Sequence, residues 1–440
     1  MKKRFHIKDA HLSEVLHGAA LAFVLRGLGA GLAFLLNAVI ARMLGAEGAG
    51  LYFLALSVTM IAAVIARLGL DNALLRFVSV HASKEEWGLV RGVFSLGMRM
   101  AMISSAVLTL LCFVFAPWLS ETLFNKPELG SPLRWMSLGI MSFSLMMLIG
   151  ECLKGLRQIR NAMFVSGLLY PLIALVLVWP SITLIGVSGA NVAYVLGTTG
   201  ASALGYMFWR SAMANHAAPT IPFQRSQLLA SSRPLLTMSI INSAVIPWFP
   251  LLLLGVWGSA EESGIFGAAT RLAMLLTFFL SAVNTVVAPK FAALYTKGDM
   301  ETLARIARKS ALFITVAATP VFVVFFAAGE WVMSVFGPDF VAGGRVLAIL
   351  TLGQAVNSLT GSVGYILTMT GNETDARNSS IFAGIVLIAL CLLLIPEFGM
   401  LGAAIATATA VALANIFLAW FVWRRLGIVT VPCIPMYSRK

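Results

Sequence analysis

Residues 44–55, LGAEGAGLYFLA, return at 258–269 as GSAEESGIFGAA. Glu47 falls over Glu261 and Gly50 over Gly264, an offset of 214 residues. At the same offset RFVSVHASKEEWGLVRG (76–92) falls over KFAALYTKGDMETLARI (290–306). GVSGANVA (186–193) matches GMLGAAIA (399–406) at an offset of 213, and the Arg-Asn pair at 160–161 matches that at 377–378. The matches are collinear and fall in loops as well as in apolar segments. The chain is therefore read as two copies of one unit.

What surrounds these loops is apolar. Of 440 residues, 59% are hydrophobic and 11% charged, and the mean hydropathy is +0.91. Soluble domains carry about 25% charged residues, so only a bilayer accepts this composition. That excludes soluble enzymes, nucleic-acid binders and secreted disulfide scaffolds. Windows of about 20 apolar residues predict twelve spans, at 18–41, 50–69, 92–116, 132–152, 161–179, 184–209, 235–257, 264–288, 310–328, 345–369, 379–396 and 401–423. Six spans per repeat keep both halves in the same orientation. The expectation is an all-α polytopic membrane protein with two parallel six-helix lobes related by an axis along the membrane normal, and a cavity between them. The lobes are placed at 1–210 and 235–424, a cytoplasmic linker at 211–234 and a tail at 425–440. The polar start followed by a long apolar run reads as an uncleaved first span.

Lys and Arg set the orientation. With a cytoplasmic N-terminus, inside segments hold 23 of the 31 basic residues and outside loops hold four: Arg42, Lys126, Arg134 and Arg345. Arg26, Arg67, Arg99 and Arg271 fall in spans or at a span's end. The net charge of +13 is thus mostly topological and needs no nucleic-acid partner.

The loops resemble those of the polysaccharide-unit flippases (O-antigen or exopolysaccharide, Wzx-type) of the multidrug/oligosaccharidyl-lipid/polysaccharide exporter superfamily. The resemblance rests on IARMLGAEGAGLYFLALS (40–57) followed by ARLGLDNALLRFV (66–78), and on APKFAALYTKGDMETLARIARKS (288–310). VFGPDFVAGGRVLAIL (335–350) and LTMTGNETDARN (367–378) are also similar. It implies a V-shaped transporter that moves an undecaprenyl-diphosphate-linked oligosaccharide across the bacterial inner membrane. Polysaccharide polymerase machinery is then a partner. Lipid II flippases of the superfamily usually have fourteen spans, so twelve disfavours that branch. Rival readings are a cation-coupled multidrug exporter of the same fold and a membrane-embedded polysaccharide polymerase or ligase. The latter needs a periplasmic loop larger than the ~15-residue segments at 117–131 and 329–344.

A charged side chain at bilayer depth costs at least about 2.5–3.5 kcal/mol, so it faces protein or a wet cavity. Arg26, Arg99 and Arg271 are read as a cationic surface for a diphosphate, whose oxygens guanidinium binds bidentately. Arginines in the first and eighth helices of related lipid-diphosphate flippases point the same way. Asn37, about 20° from Arg26 around an ideal helix, and Gln354 with Asn357 are candidate sugar contacts. Gln354, Asn357, Ser358, Gly361 and Tyr365 share one stripe of span ten, as Asn191, Tyr194, Thr198 and Ser202 do in span six. Interhelical hydrogen bonding explains such stripes equally well. Arg67, with Asp71 at i+4, together with Arg76 and Glu151, is grouped as gating or structural. Glu151 is the acid nearest membrane depth, either a solvated helix-end group or an H⁺ carrier. No GxxxxGK[ST] loop, HExxH or CxxC pattern occurs, so no catalytic residue, metal or cofactor is expected. Cys112, Cys152, Cys391 and Cys433 are read as free apolar fillers.

Overall fold

The structure is a computed structural model that describes residues 2–216 and 218–432, with side chains from Val24 onward apart from those of Pro234 and Thr285. Cys433 and the end of the tail lie outside the described residues. Among the described residues nine helices are long and apolar enough to cross a membrane. Two of them hold two crossings each. Val24–Ala66 has 43 residues, about 65 Å of helix against a core of about 30 Å. It leaves helical geometry at Gly45. Glu373–Leu426 has 54 residues and leaves it at Gly399. Val187–Ala214 is long enough to cross but less apolar, because it carries the polar stripe of span six. Counted so, the spans number twelve in two repeats of six.

The repeat is visible in the backbone. Gly186 (φ 59°, ψ −136°) joins spans five and six, and Gly399 (φ 52°, ψ −129°) joins spans eleven and twelve. Side chains rarely adopt this conformation, which glycine reaches at little cost. Three residues further on, a Cβ at Gly189 would meet the Ser181 carbonyl and one at Gly402 the Leu394 carbonyl. The two joints are equivalent positions solved identically.

Several boundaries differ from the sequence reading. The first helix begins at Lys2, well before residue 18. The polar N-terminal stretch contains no Pro or Gly before Gly18, so nothing stops the helix at the membrane surface. Span two ends in two left-handed residues, Leu68 and Gly69, and a separate helix, Leu70–Ser83, fills what the sequence suggests is a loop. Its Leu70, Leu74 and Val78 pack into one core with Val90, Val93 and Leu148. At the equivalent place in the second repeat stands Val283. A β-branched residue resists the left-handed region, and span eight runs unbroken from Ala260 to Thr296. Asp299 then caps span nine, accepting the Thr302 N–H at 3.0 Å. That bond holds its carboxyl below the usual carboxylate range. Span seven starts early, at Arg225, and passes through a π-helical segment, Ile240–Val245, into Ile246–Trp257. Span ten is broken at Gly361 (φ 70°) into Gly344–Thr360 and Val363–Met369. Tyr365 therefore does not continue the stripe of Gln354 and Asn357.

The chain divides into two compact units, Met1–Ile40 with Ala55–Ile240, and Ala41–Leu54 with Ile241–Lys440. The exchanged piece, 41–54, contains all but the last residue of the repeat motif. Within the second unit its helical turn lies against the matching turn of span eight. A Cβ at Gly50 would strike the Ala260 carbonyl, and one at Gly264 the Ala46 carbonyl. The matched glycines of the two repeats thus permit one reciprocal close approach.

Candidate functional site

Arg271 lies in the buried stretch of span eight. Its guanidinium sits 4.7 Å from the Trp248 ring centre and 5.1 Å from that of Phe53. Phe53 is fully buried, and Gly267, one turn before Arg271, leaves the space its ring occupies. Two ring faces hold a guanidinium in place through its π-surface. A guanidinium binds oxygen through its in-plane N–H edge and not through that surface. All three residues belong to the second unit.

Gln354 also lies in this unit. It lines a cavity of about 70 Å³ with Thr270, the neighbour of Arg271, and Thr407. Asn357 donates through Nδ2 to the Gln354 carbonyl oxygen at 3.1 Å. Two of the three predicted sugar contacts are thus bonded to each other along one helix face.

In the first unit Arg26 is exposed on span one. Asn37, eleven residues on, is half-buried and donates to the Ala33 carbonyl at 2.6 Å. Its Oδ1 is buried with no hydrogen-bond partner among the described residues, an acceptor still to be satisfied. Arg99 is exposed on span three. It donates to the Ser95 carbonyl at 3.3 Å and lines a separate cleft of this unit.

The residues grouped as gating or structural divide. Arg67 is buried and bonds Asp71 at 2.6 Å, with Nε on the Ala63 carbonyl. The pair ties span two to the Leu70–Ser83 helix across the left-handed break. Glu151 is not a lone acid; it bonds Lys154 at 2.6 Å. Arg76 is exposed, with its guanidinium 5.9 Å from the neighbouring Phe77 ring.

Three features escaped the sequence reading. Phe53 and Trp248 are 195 residues apart, and nothing in either segment announces that they share an arginine. Asp375, at the start of span eleven, takes Arg425 at 2.7 and 3.3 Å, 50 residues on. Arg91 and Arg210 were counted only toward topology, yet both line the cleft with Arg99. Among the described residues no group of three metal-ligating side chains comes together.

Residues 15–295 match the family described as "Polysaccharide biosynthesis protein". The chain belongs to that family. The matched stretch contains both copies of the repeat motif, and the segments 40–57 and 66–78 on which the resemblance rests. At 22% identity, 90% of the chain aligns with 80% of the probable low-salt glycan biosynthesis flippase Agl15 of Haloferax volcanii. At 28% identity, 74% of it aligns with 63% of the succinoglycan biosynthesis transport protein ExoT of Rhizobium meliloti. Among solved structures, an inward-facing multidrug resistance MATE family transporter superposes with a TM-score of 0.75 at 17% identity, covering 92% of this chain and 98% of that one. The lipid II flippase MurJ in an inward closed conformation gives 0.72 at 15% identity, covering 92% and 87%. The fold is therefore that of the exporter superfamily, as the resemblance implied, and the chain is a multi-pass membrane protein of a polysaccharide biosynthesis family.

Proposed function

We propose that this chain is a flippase that carries an undecaprenyl-diphosphate-linked oligosaccharide across the bacterial inner membrane by alternating access. The repeats at 1–210 and 235–424 are its two lobes, and both termini are cytoplasmic. The observation that supports this most strongly is Arg271 itself. In a family of polysaccharide biosynthesis, a guanidinium is held between two aromatic rings inside a membrane span. A fixed cation at that depth suits a diphosphate better than a neutral sugar or a cationic drug. One relative named a probable glycan biosynthesis flippase and one named a succinoglycan biosynthesis transport protein support the same substrate class. The fold alone also accommodates a drug exporter. That reading needs a free carboxylate at depth, and the nearest one, Glu151, is paired with Lys154.

The direct test uses the purified chain in liposomes with a fluorescent undecaprenyl-diphosphate trisaccharide. The chain should accelerate transfer between leaflets, read as dye made accessible to an external quencher. A rate equal to that of protein-free liposomes overturns the proposal.

The 23-to-4 distribution of basic residues supports cytoplasmic termini. Phosphatase fusions after residues 125 and 338 should be active outside. Fusions after 157, 220, 298 and 375 should stay inside. Activity after residue 220 would break the six-plus-six arrangement.

A further inference from the structure

Between span three (Trp87–Trp118), the Gly139–Gly155 helix of span four and span six (Val187–Ala214) the first unit opens a cleft of about 970 Å³. No carboxylate lines it. Arg91, Arg99 and Arg210 do, and none of them forms an ion pair among the described residues.

The charge is graded along the cleft. Arg91 and Arg210 stand at the end where span three begins and span six finishes. Arg91 is anchored there, donating to the Met213 and His216 carbonyls at 3.0 Å each. Those carbonyls lie at the end of span six, where a cation is favoured. Arg99 stands about 12 Å further along the helix. Beyond it the lining carries no charge: Met102, Leu138 and Met141 form its apolar part, and Ser142, Thr199 and Ser202 are its neutral polar groups. From Arg91 to Met102 is about 16 Å of helix, half of a hydrocarbon core of about 30 Å. The aromatic wall is rigid, because Phe94 stacks on Trp209 with ring centres 4.0 Å apart.

We infer that this cleft holds a phosphate-bearing lipid of the leaflet on the Trp87 side. The phosphate lies between Arg91, Arg99 and Arg210, and the chains run along the methionines toward the bilayer midplane. Three guanidiniums without a carboxylate demand an anion. A recess one leaflet deep that changes from cationic to uncharged, with methionine and leucine on its wall, suits an anion that carries a hydrocarbon chain. Methionine surfaces accommodate chains of different shape. The site is wholly within the first unit and separate from Arg271. It does not depend on the transport reading, and its test reads binding alone.

Two lipids share this chemistry: a resident phosphatidylglycerol and a polyprenyl phosphate. Native mass spectrometry of the full chain in detergent, titrated with each lipid and with uncharged diacylglycerol, tests the site. Arg99 and Arg210 are exposed, so the double variant Arg99→Gln, Arg210→Gln should fold, as a monodisperse elution profile will establish. Wild type should retain the phosphate lipids and not diacylglycerol. The double variant should lose about tenfold or more in affinity, from roughly 1 kcal/mol per basic residue. Arg345→Gln, at an exposed arginine of the second unit that does not line the cleft, should bind as wild type does. Tighter retention of phosphatidylglycerol assigns a structural lipid, and tighter retention of undecaprenyl phosphate assigns the carrier lipid. Unchanged binding in a folded double variant, or equal binding of diacylglycerol, overturns the site.

Discussion

Replacing Arg271 or Arg26 with alanine should abolish glycan export while leaving the amount of protein in the membrane unchanged. A bidentate guanidinium–phosphate contact supplies two charge-assisted hydrogen bonds, each about 1.5–3 kcal/mol. Losing both implies a fall of a hundredfold or more. The structural loss is far smaller. Arg271 forfeits ring contacts of about 0.5–2 kcal/mol against Trp248 and Phe53, and Arg26 is exposed. Export should therefore collapse without loss of the chain, as immunoblotting of membranes beside surface glycan will reveal. Lysine should rescue only in part, because an ammonium lacks the planar fork and the flat face that stacks on the rings. Full export by the Arg26→Ala, Arg271→Ala double variant would sink the assignment.

Flipping should respond to membrane voltage at equal pH and without a sodium gradient. The proposed cargo carries roughly two negative charges, and the cytoplasm is electrically negative. Outward movement of an anion is then downhill by about 2.3 kcal/mol per charge per 100 mV, or roughly 4–5 kcal/mol for an uncompensated diphosphate. A few kcal/mol suffices to bias a cycle whose states lie close in energy. The emptied carrier, with its fixed arginines, is drawn back by the same field. The structure weakens the competing mechanism, since Glu151 is engaged by Lys154 and no other acid lies nearer to membrane depth. Potassium–valinomycin potentials, negative on the side from which cargo leaves, should accelerate flipping several-fold, and reversed potentials should slow it. If flipping requires a pH or sodium gradient and disappears in Glu151→Gln, the antiport mechanism replaces this one.

The architecture was legible because membrane insertion is a one-dimensional problem. Span length, apolar content and the sidedness of Lys and Arg are all local properties of the chain. The repeat was legible for a similar reason. Gly186 and Gly399 answer the same steric demand at the same place in each copy, so the residue type survives where surrounding letters drift. Element ends were less legible. That Leu68–Gly69 breaks a helix where Val283 continues one depends on a backbone preference that flanking apolar sequence hides.

The site divides along the same line. Which charges fall within apolar runs was decided by the sequence alone, for Arg26, Arg67, Arg99 and Arg271; that Arg67 is buried and Arg26 and Arg99 are exposed was not. The pairing of Arg67 with Asp71 could be read too, because four residues is one helical turn. What each remaining charge faces was decided only by the tertiary structure. Phe53 and Trp248 flank Arg271, Asp375 takes Arg425, and Arg99 joins Arg91 and Arg210 in one cleft. Periodicity states which side of a helix is apolar. It does not state which helix lies opposite, and these contacts join residues 23 to 218 positions apart, or spans three and six, whose adjacency exists only once the helices pack.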